Sequence, residues 1–97
     1  MKRSLPRLGD EARRVARGEL IGQDVRIAAS GDVGIVGLAG TVIDESLRTF
    51  VIRKADGREV RVGKTGSTFE FLTPGGPVQV VGDAIEFRPA DRTKKVR

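Results

Sequence analysis

Short runs in which apolar and polar residues alternate dominate the chain from Gln23 onward. Successive side chains of a strand point to opposite faces, so this alternation predicts strands with one buried face. The runs are rich in β-branched and aromatic residues, and they leave no room for helices that would connect parallel strands. The pattern therefore predicts an antiparallel sheet. It is carried by Val25 and Ile27, Phe50 and Ile52, Val60 and Val62, Phe69 and Phe71, and Ile85 and Phe87.

Turn residues lie between these runs. Asp56 and Gly57 separate two of them, and this dipeptide is typical of a tight hairpin, because glycine tolerates a positive φ. Glycines at 31, 34, 37 and 40 recur every third residue, which favours a loop followed by a strand that bends at a barrel corner. The alternative is that a partner approaches the backbone closely there. The whole pattern predicts a mainly β fold, a small antiparallel SH3-like or Sm-like barrel of about six strands.

Residues 1–18 follow the helical period instead. Asp10 is a candidate N-cap and Gly18 a candidate stop, so the predicted helix spans Glu11 to Arg17. A helix this short is marginal alone, and its apolar face needs either the barrel or a partner protein to pack against. The apolar side of the wheel holds Leu5, Leu8, Ala12, Val15, Ala16 and Leu20, and the opposite side holds Arg3, Arg7, Arg14 and Arg17.

The net charge of +5 lies at the two ends of the chain. Residues 1–18 and 88–97 each carry a net charge of +4, whereas residues 19–87 carry −3. The 97 residues suffice for one small domain. We divide it into a basic, partly helical arm at 1–18, a β-barrel at 19–88 and a loose basic tail at 89–97. Basic flanks on a compact body favour contacts with phosphate groups, the alternative being that they serve only solubility.

Cysteine and histidine are both absent, which excludes disulfides, zinc fingers, cysteine nucleophiles and Ser-His-Asp triads. The adjacent Asp44 and Glu45 point apart on an extended chain and fit a hairpin loop better than a shared catalytic site. No spacing supports a carboxylate Mg²⁺ site, so we expect no cofactor on this chain and no self-contained active site. No apolar run reaches the roughly 20 residues of a membrane span, and no signal peptide is evident. We expect a cytoplasmic protein without membrane contact.

Aromatic residues are few. The four phenylalanines occupy positions predicted to face inward, and tryptophan and tyrosine are absent. They suit a core better than a stacking surface for bases. Any contact with RNA is therefore expected to run through Arg and Lys to the phosphate backbone.

Blocks with distinct features follow one another over most of the chain: Gly18–Ile27, Gly37–Ser46 with its acidic turn, Val62–Lys64, Thr68–Phe71 with its Phe-x-Phe, Gly82, and the basic Arg88–Lys95. In this order they resemble the archaeal ribonuclease P protein component 1 family, Sm-like barrel proteins related to a eukaryotic ribonuclease P/MRP subunit. Ser46 and Arg48 depart from the Thr and Asn that are usual in the turn after Glu45. The departure concerns the turn and not the fold.

The resemblance implies an RNA-binding subunit of ribonuclease P, the ribonucleoprotein that removes the 5′ leader from precursor tRNA. In that family the RNA with Mg²⁺ is catalytic, so the isolated chain is expected to be inactive. Implied partners are the ribonuclease P RNA, a zinc-binding protein subunit that forms a heterodimer with this chain, other ribonuclease P proteins and, indirectly, precursor tRNA.

The resemblance also assigns roles to individual residues. The partner interface falls on the apolar helix face, at Leu8, Ala12, Val15, Ala16 and Leu20. The RNA-binding residues fall in the two basic flanks, at Arg13, Arg14, Arg17, Arg88, Arg92, Lys94 and Lys95, with further barrel-surface contacts at Arg26, Arg53 and Lys64. The alternatives are another structured-RNA-binding barrel (a ribosomal protein or an Sm-type ring former), a protein-interaction adaptor, and a small enzyme that uses carboxylates only.

Overall fold

A computed structural model describes residues Leu8–Val96, so the predictions for Arg3, Leu5, Arg7 and Arg97 lie outside the described residues. The chain forms two short helices and six strands. They are α1 Asp10–Arg17, β1 Asp24–Ser30, β2 Ala39–Glu45, β3 Thr49–Arg53, β4 Glu59–Gly63, β5 Ser67–Thr73, β6 Gly76–Val81 and α2 Pro89–Lys95, with 3₁₀ turns at Val33–Ile35 and Gly82–Ile85.

All six strands pair antiparallel in one sheet, in the order β4-β3-β2-β1-β5-β6. The register shifts between Ile27 and Ala29 in β1 and between Val42 and Asp44 in β2. Such bulges bend a strand and increase its twist, which allows the sheet to curl around one core. Within the described residues no ladder joins β4 to β6, so the barrel stays open at that seam.

The core lies inside this curled sheet. Phe50, Phe69 and Phe71 are fully buried, and the rings of Phe50 and Phe69 meet edge to face with centroids 5.1 Å apart. This arrangement suits the positive edge and the negative face of aromatic rings. Phe87 is half-buried against the same core. The predictions of a mainly β fold with about six antiparallel strands and of phenylalanines in the core are therefore confirmed.

Three local predictions differ from the structure. Ile85 and Phe87 do not form a strand, because Gly82–Ile85 is a 3₁₀ turn, and the sixth strand is Gly76–Val81. The helix begins at Asp10 with Gly9 as its N-cap, so Asp10 is not the cap. The basic segment expected as a loose tail is the helix α2, followed by a buried Val96. Pro89 begins this helix, where its missing N–H leaves no bond unmade.

Two glycine predictions are confirmed. Gly57 takes a φ of 88° in the hairpin between β3 and β4. Gly31, Gly34 and Gly37 lie in the loop before β2, and Gly40 lies in β2, a strand that bends at its bulge. An added Cβ at Gly40 would clash with the carbonyl oxygen of Arg53.

Replacing Gly40 by Ala is expected to lower the free energy of unfolding by about 1–3 kcal/mol, because backbone atoms must move to admit the methyl group. Urea unfolding followed by circular dichroism measures it. Gly63→Ala is the matched control, since nothing lies within 4 Å of the added Cβ and the residue is also in a strand. Equal stability of the two variants would contradict the close approach at Gly40.

Candidate nucleic-acid interface

The apolar face of α1 packs on the core of the same chain. Leu8, Ala16 and Leu20 are buried in it, and Ala12 and Val15 are half-buried against it. Three of the five predicted partner-binding side chains, Leu8, Ala16 and Leu20, are therefore covered by the chain's own barrel, whereas Ala12 and Val15 stay partly exposed. The barrel thus provides the packing that this short helix needs.

An arginine of each helix donates hydrogen bonds to carbonyl oxygens at the C-terminal end of the other helix, an arrangement that we call the exchange of arginines. The Arg17 guanidinium of α1 donates from Nε and Nη2 to the carbonyl oxygen of Val96, at 3.1 and 2.9 Å. In return, Arg92 of α2 donates from Nη1 to the carbonyl oxygens of Ala16 and Gly18, the latter at 2.7 Å. The last carbonyls of a helix have no partner within the helix and carry partial negative charge, so a guanidinium both satisfies and stabilises them. The exchange brings the two basic flanks of the sequence together.

A buried carboxylate lies beneath this exchange. Glu45, at the end of β2, accepts from Lys64 Nζ and Arg92 Nε at 2.8 Å each, and from Arg92 Nη2 at 2.9 Å. The side chains of Glu45 and Lys64 are 0% exposed and that of Arg92 is 2% exposed. Lys64 Nζ also donates to the Phe87 carbonyl oxygen at 2.8 Å and lies 4.9 Å from the centroid of the Phe50 ring. We call these three side chains the Glu45 cluster.

The Glu45 cluster corrects two predicted RNA contacts. Lys64 was expected on the barrel surface and Arg92 in an exposed basic tail, and both placements are wrong. A lone buried cation is costly, but here each side-chain nitrogen of Lys64 and Arg92 donates to a carboxylate or carbonyl oxygen. Among the described residues no buried side-chain nitrogen or oxygen lacks a hydrogen bond. These two cations hold the structure together and are not available to a phosphate.

Burial lowers the pKa of Lys64 from its ordinary value of 10.5, and the nearby Arg92 contributes to this, while Glu45 opposes it. Between the lowered pKa and 10.5, the unfolded chain binds a proton that the folded chain has lost, so the free energy of unfolding rises with pH across this interval. We expect Lys64→Met to abolish this contribution, as measured by urea unfolding between neutral pH and pH 10.5. The exposed Lys95→Met is the control, and an equal change in both variants would contradict the assignment.

The remaining predicted RNA-binding residues fall into two groups. Arg13, Arg26 and Arg53 form ion pairs with Asp10, Glu70 and Glu59, at 2.6, 3.0 and 3.4 Å. The hydrogen bond from Arg26 lowers the pKa of Glu70, as does one from Gln79. The positive charge of these three arginines is thus compensated locally.

The second group is exposed and takes part in none of the ion pairs within residues 8–96. It consists of Arg14, Arg88, Lys94 and Lys95. Arg17 is exposed as well, and its donors reach the Val96 carbonyl. All five lie on α1, on α2 or directly before α2, and the two helices pack against each other. We call these five exposed cations of the two packed helices the two-helix surface; on the helices they outnumber the exposed acids that form no ion pair in the described chain, Glu11 and Asp91.

Sequence reasoning missed Glu45 and Arg61. Glu45 was interpreted as a turn residue, and only the bulge between Val42 and Asp44 aims its side chain inward. Arg61, on β4, is exposed, belongs to none of the ion pairs of the described chain, and donates to Thr49 Oγ1 at 3.1 Å. It lies on a strand that offers no neighbouring free cation and so stands apart from the two-helix surface.

Within residues 8–96, no group of three or more Asp or Glu side chains is placed to hold a metal ion, and no helix is long and apolar enough to cross a membrane.

Comparisons with known proteins agree with one another. A family model described as ribonuclease P/MRP, subunit p29, matches residues 13–95. Ribonuclease P protein component 1 of Desulfurococcus amylolyticus is 46% identical over 88% of this chain and 94% of its own length. The protein of the same name from Methanothermobacter thermautotrophicus is 45% identical over 86% of this chain and 90% of its own length. A solved homologue of the human RNase P protein Rpp29 covers 77% of this chain and 97% of its own, with a TM-score of 0.57 and 45% identity.

Proposed function

The chain belongs to the ribonuclease P/MRP subunit p29 family, and we propose that it binds the ribonuclease P RNA through the two-helix surface. It is a protein component of ribonuclease P, the ribonucleoprotein that processes the 5′ ends of tRNA. The observation that supports the RNA-binding surface is the concentration of ion-pair-free, exposed cations on α1 and α2. Phosphate contacts of this kind are strong and largely independent of base sequence.

In this proposal the protein stabilises the folded RNA and does not itself cleave phosphodiester bonds. RNA segments repel one another through their phosphates, and cations held at fixed positions on a protein reduce that repulsion. We assign the Mg²⁺ of the reaction to the RNA. The most buried carboxylate of the described chain, Glu45, is already committed to two cations.

Reconstitution tests the function. The ribonuclease P RNA is combined with its protein subunits, with and without this chain, and cleavage of the precursor tRNA leader is measured across Mg²⁺ concentrations. With the chain present, cleavage is expected to be faster and to need less Mg²⁺. The proposal fails if both quantities are unchanged by the chain.

A zinc-binding ribonuclease P protein subunit is the partner that we propose. The family resemblance supports an interface near the N-terminal helix, but Leu8, Ala16 and Leu20 of its apolar face are buried in the chain itself. The docking residues then lie beside the helix, where Ile21 is 40% exposed. Ile21→Asp is expected to weaken the heterodimer in size-exclusion chromatography, whereas Leu72→Asp, at a comparably exposed position on β5, is expected to leave it intact.

A further inference from the structure

The Glu45 cluster connects the sheet to both helices. Glu45 belongs to β2, Arg92 to α2, and Arg92 reaches the carbonyl oxygens of Ala16 and Gly18 at the end of α1. A single guanidinium on α2 therefore contacts two other elements of the fold, β2 and the end of α1. It does so with both Nε and Nη2 on the carboxylate and with Nη1 on the helix end.

The helices are too short to hold their own positions. α1 has eight residues and α2 has seven, below the length at which an isolated helix is stable in water. Val96 buries its side chain just beyond α2, but an apolar contact is non-directional and does not fix how a helix is rotated. A two-point contact between arginine and carboxylate does fix orientation. The hydrogen bonds from Arg17 to the Val96 carbonyl then join the end of α2 to α1.

We propose that Glu45 is a positioning residue for RNA binding: through Arg92 it aligns α2 with α1 and so sets the spacing of the exposed cations on the two-helix surface. Neither Glu45 nor Arg92 touches the RNA. The inference rests on the proposed function, since it requires the two-helix surface to be the RNA-binding face. It explains why a chain that needs positive charge at its surface places two cations in its core.

The first test compares two substitutions that remove the same formal charge, Arg92→Gln and Lys94→Gln. The salt dependence of binding to the ribonuclease P RNA is measured with the full chain. Lys94→Gln is expected to reduce the slope of log affinity against log salt by about the amount that one phosphate contact contributes. Arg92→Gln is expected to reduce it by about two or three times that amount, because the cations of α2 lose their alignment. A reduction of one such amount or less for the buried Arg92 would overturn the inference.

Arg92→Gln leaves the one-to-one pair of Glu45 with Lys64 in place, so it is the variant expected to remain folded. Amide dispersion in NMR spectra verifies the sheet at the temperature of the binding measurement. Arg92→Lys restores a cation beside Glu45 and is expected to recover part of the lost slope. No recovery, in a folded protein, would count against alignment through this contact.

The second test uses a substitution, Glu45→Gln, for which formal charge and the positioning role predict opposite changes in RNA affinity. Glu45→Gln and Glu19→Gln each make the chain more positive by one unit, and Glu19 is exposed and belongs to no ion pair of the described residues. By charge alone both should bind RNA more tightly. We expect Glu19→Gln to do so and Glu45→Gln to bind more weakly, at a temperature where its sheet is intact. If wild-type protein shows no salt-dependent RNA binding, the proposed function fails. If wild type binds and the variants follow formal charge, only the positioning role fails.

Discussion

Replacing Glu45 by Gln is expected to lower the free energy of unfolding by about 3–5 kcal/mol, the largest effect expected of any single substitution here. The change leaves the ammonium of Lys64 and the guanidinium of Arg92 buried without a counter-charge. A domain of this size has a total stability of about 5–15 kcal/mol, so the variant is expected to lose a large part of it. Thermal and urea unfolding, followed by circular dichroism, measure the loss.

Two controls separate the unpaired charge from other causes. Glu19→Gln makes the same chemical change at an exposed position and is expected to alter stability by less than about 0.5 kcal/mol. Replacing Glu45, Lys64 and Arg92 together by Met removes all three charges, and it is expected to be less destabilising than Glu45→Gln alone. If the triple variant is the less stable of the two, packing and not charge compensation is the main role of the cluster.

Neutralising the four cations of the two-helix surface that make no ion pair within residues 8–96 and no contact with Val96 is expected to reduce RNA affinity roughly a hundredfold or more at about 0.1 M salt. Each phosphate contact releases counterions, so each lost contact weakens binding. The variant carries Arg14→Gln, Arg88→Gln, Lys94→Gln and Lys95→Gln. The slope of log affinity against log salt is expected to fall by about three to four contacts. Filter binding or fluorescence anisotropy with the ribonuclease P RNA, over a series of salt concentrations, measures both quantities.

A matched variant removes four cations that the structure shows in ion pairs, with Arg26→Gln, Arg53→Gln, Lys54→Gln and Arg58→Gln. These pairs lie at the surface, and each has at least one exposed partner, so their removal costs little stability. The change in formal charge equals that of the first variant, but we expect a clearly smaller loss of slope. Equal losses would show that RNA senses only the net charge of the protein and that no particular face is the contact surface.

Period-two alternation was enough to predict most of the sheet. Val25, Ile27, Phe50 and Phe71 are buried where the alternation puts them, since a half-buried strand has few other solutions. Strand β6 was not predicted, because Pro77 and the glycines before it resemble a loop, although the side chains of Val78 and Val80 alternate inward. Pro is tolerated on this strand because β6 is at the edge of the sheet.

The site was less predictable than the sheet. Lys and Arg are almost never fully buried, so a surface position is the correct default for Lys64 and Arg92. Only pairing with a shared carboxylate makes burial of the two cations favourable. That carboxylate, Glu45, is 47 residues away from Arg92 in sequence. The bulge in β2 that turns Glu45 inward has no local signature. The basic flanks could be located from sequence, but their packing into one surface depends on contacts between residues 76 and more positions apart.

The exchange of arginines between α1 and α2 has a consequence for synthesis on the ribosome. Arg92 follows Ala16 by 76 residues, so at about 5–20 residues per second it is added roughly 4 to 15 seconds later. During that interval α1 lacks both the hydrogen bonds from Arg92 to the carbonyl oxygens at its end and the neighbouring cations of α2. With the two-helix surface as the proposed RNA contact, the nascent protein is expected to reach its full affinity for RNA only when residues 88–96 emerge.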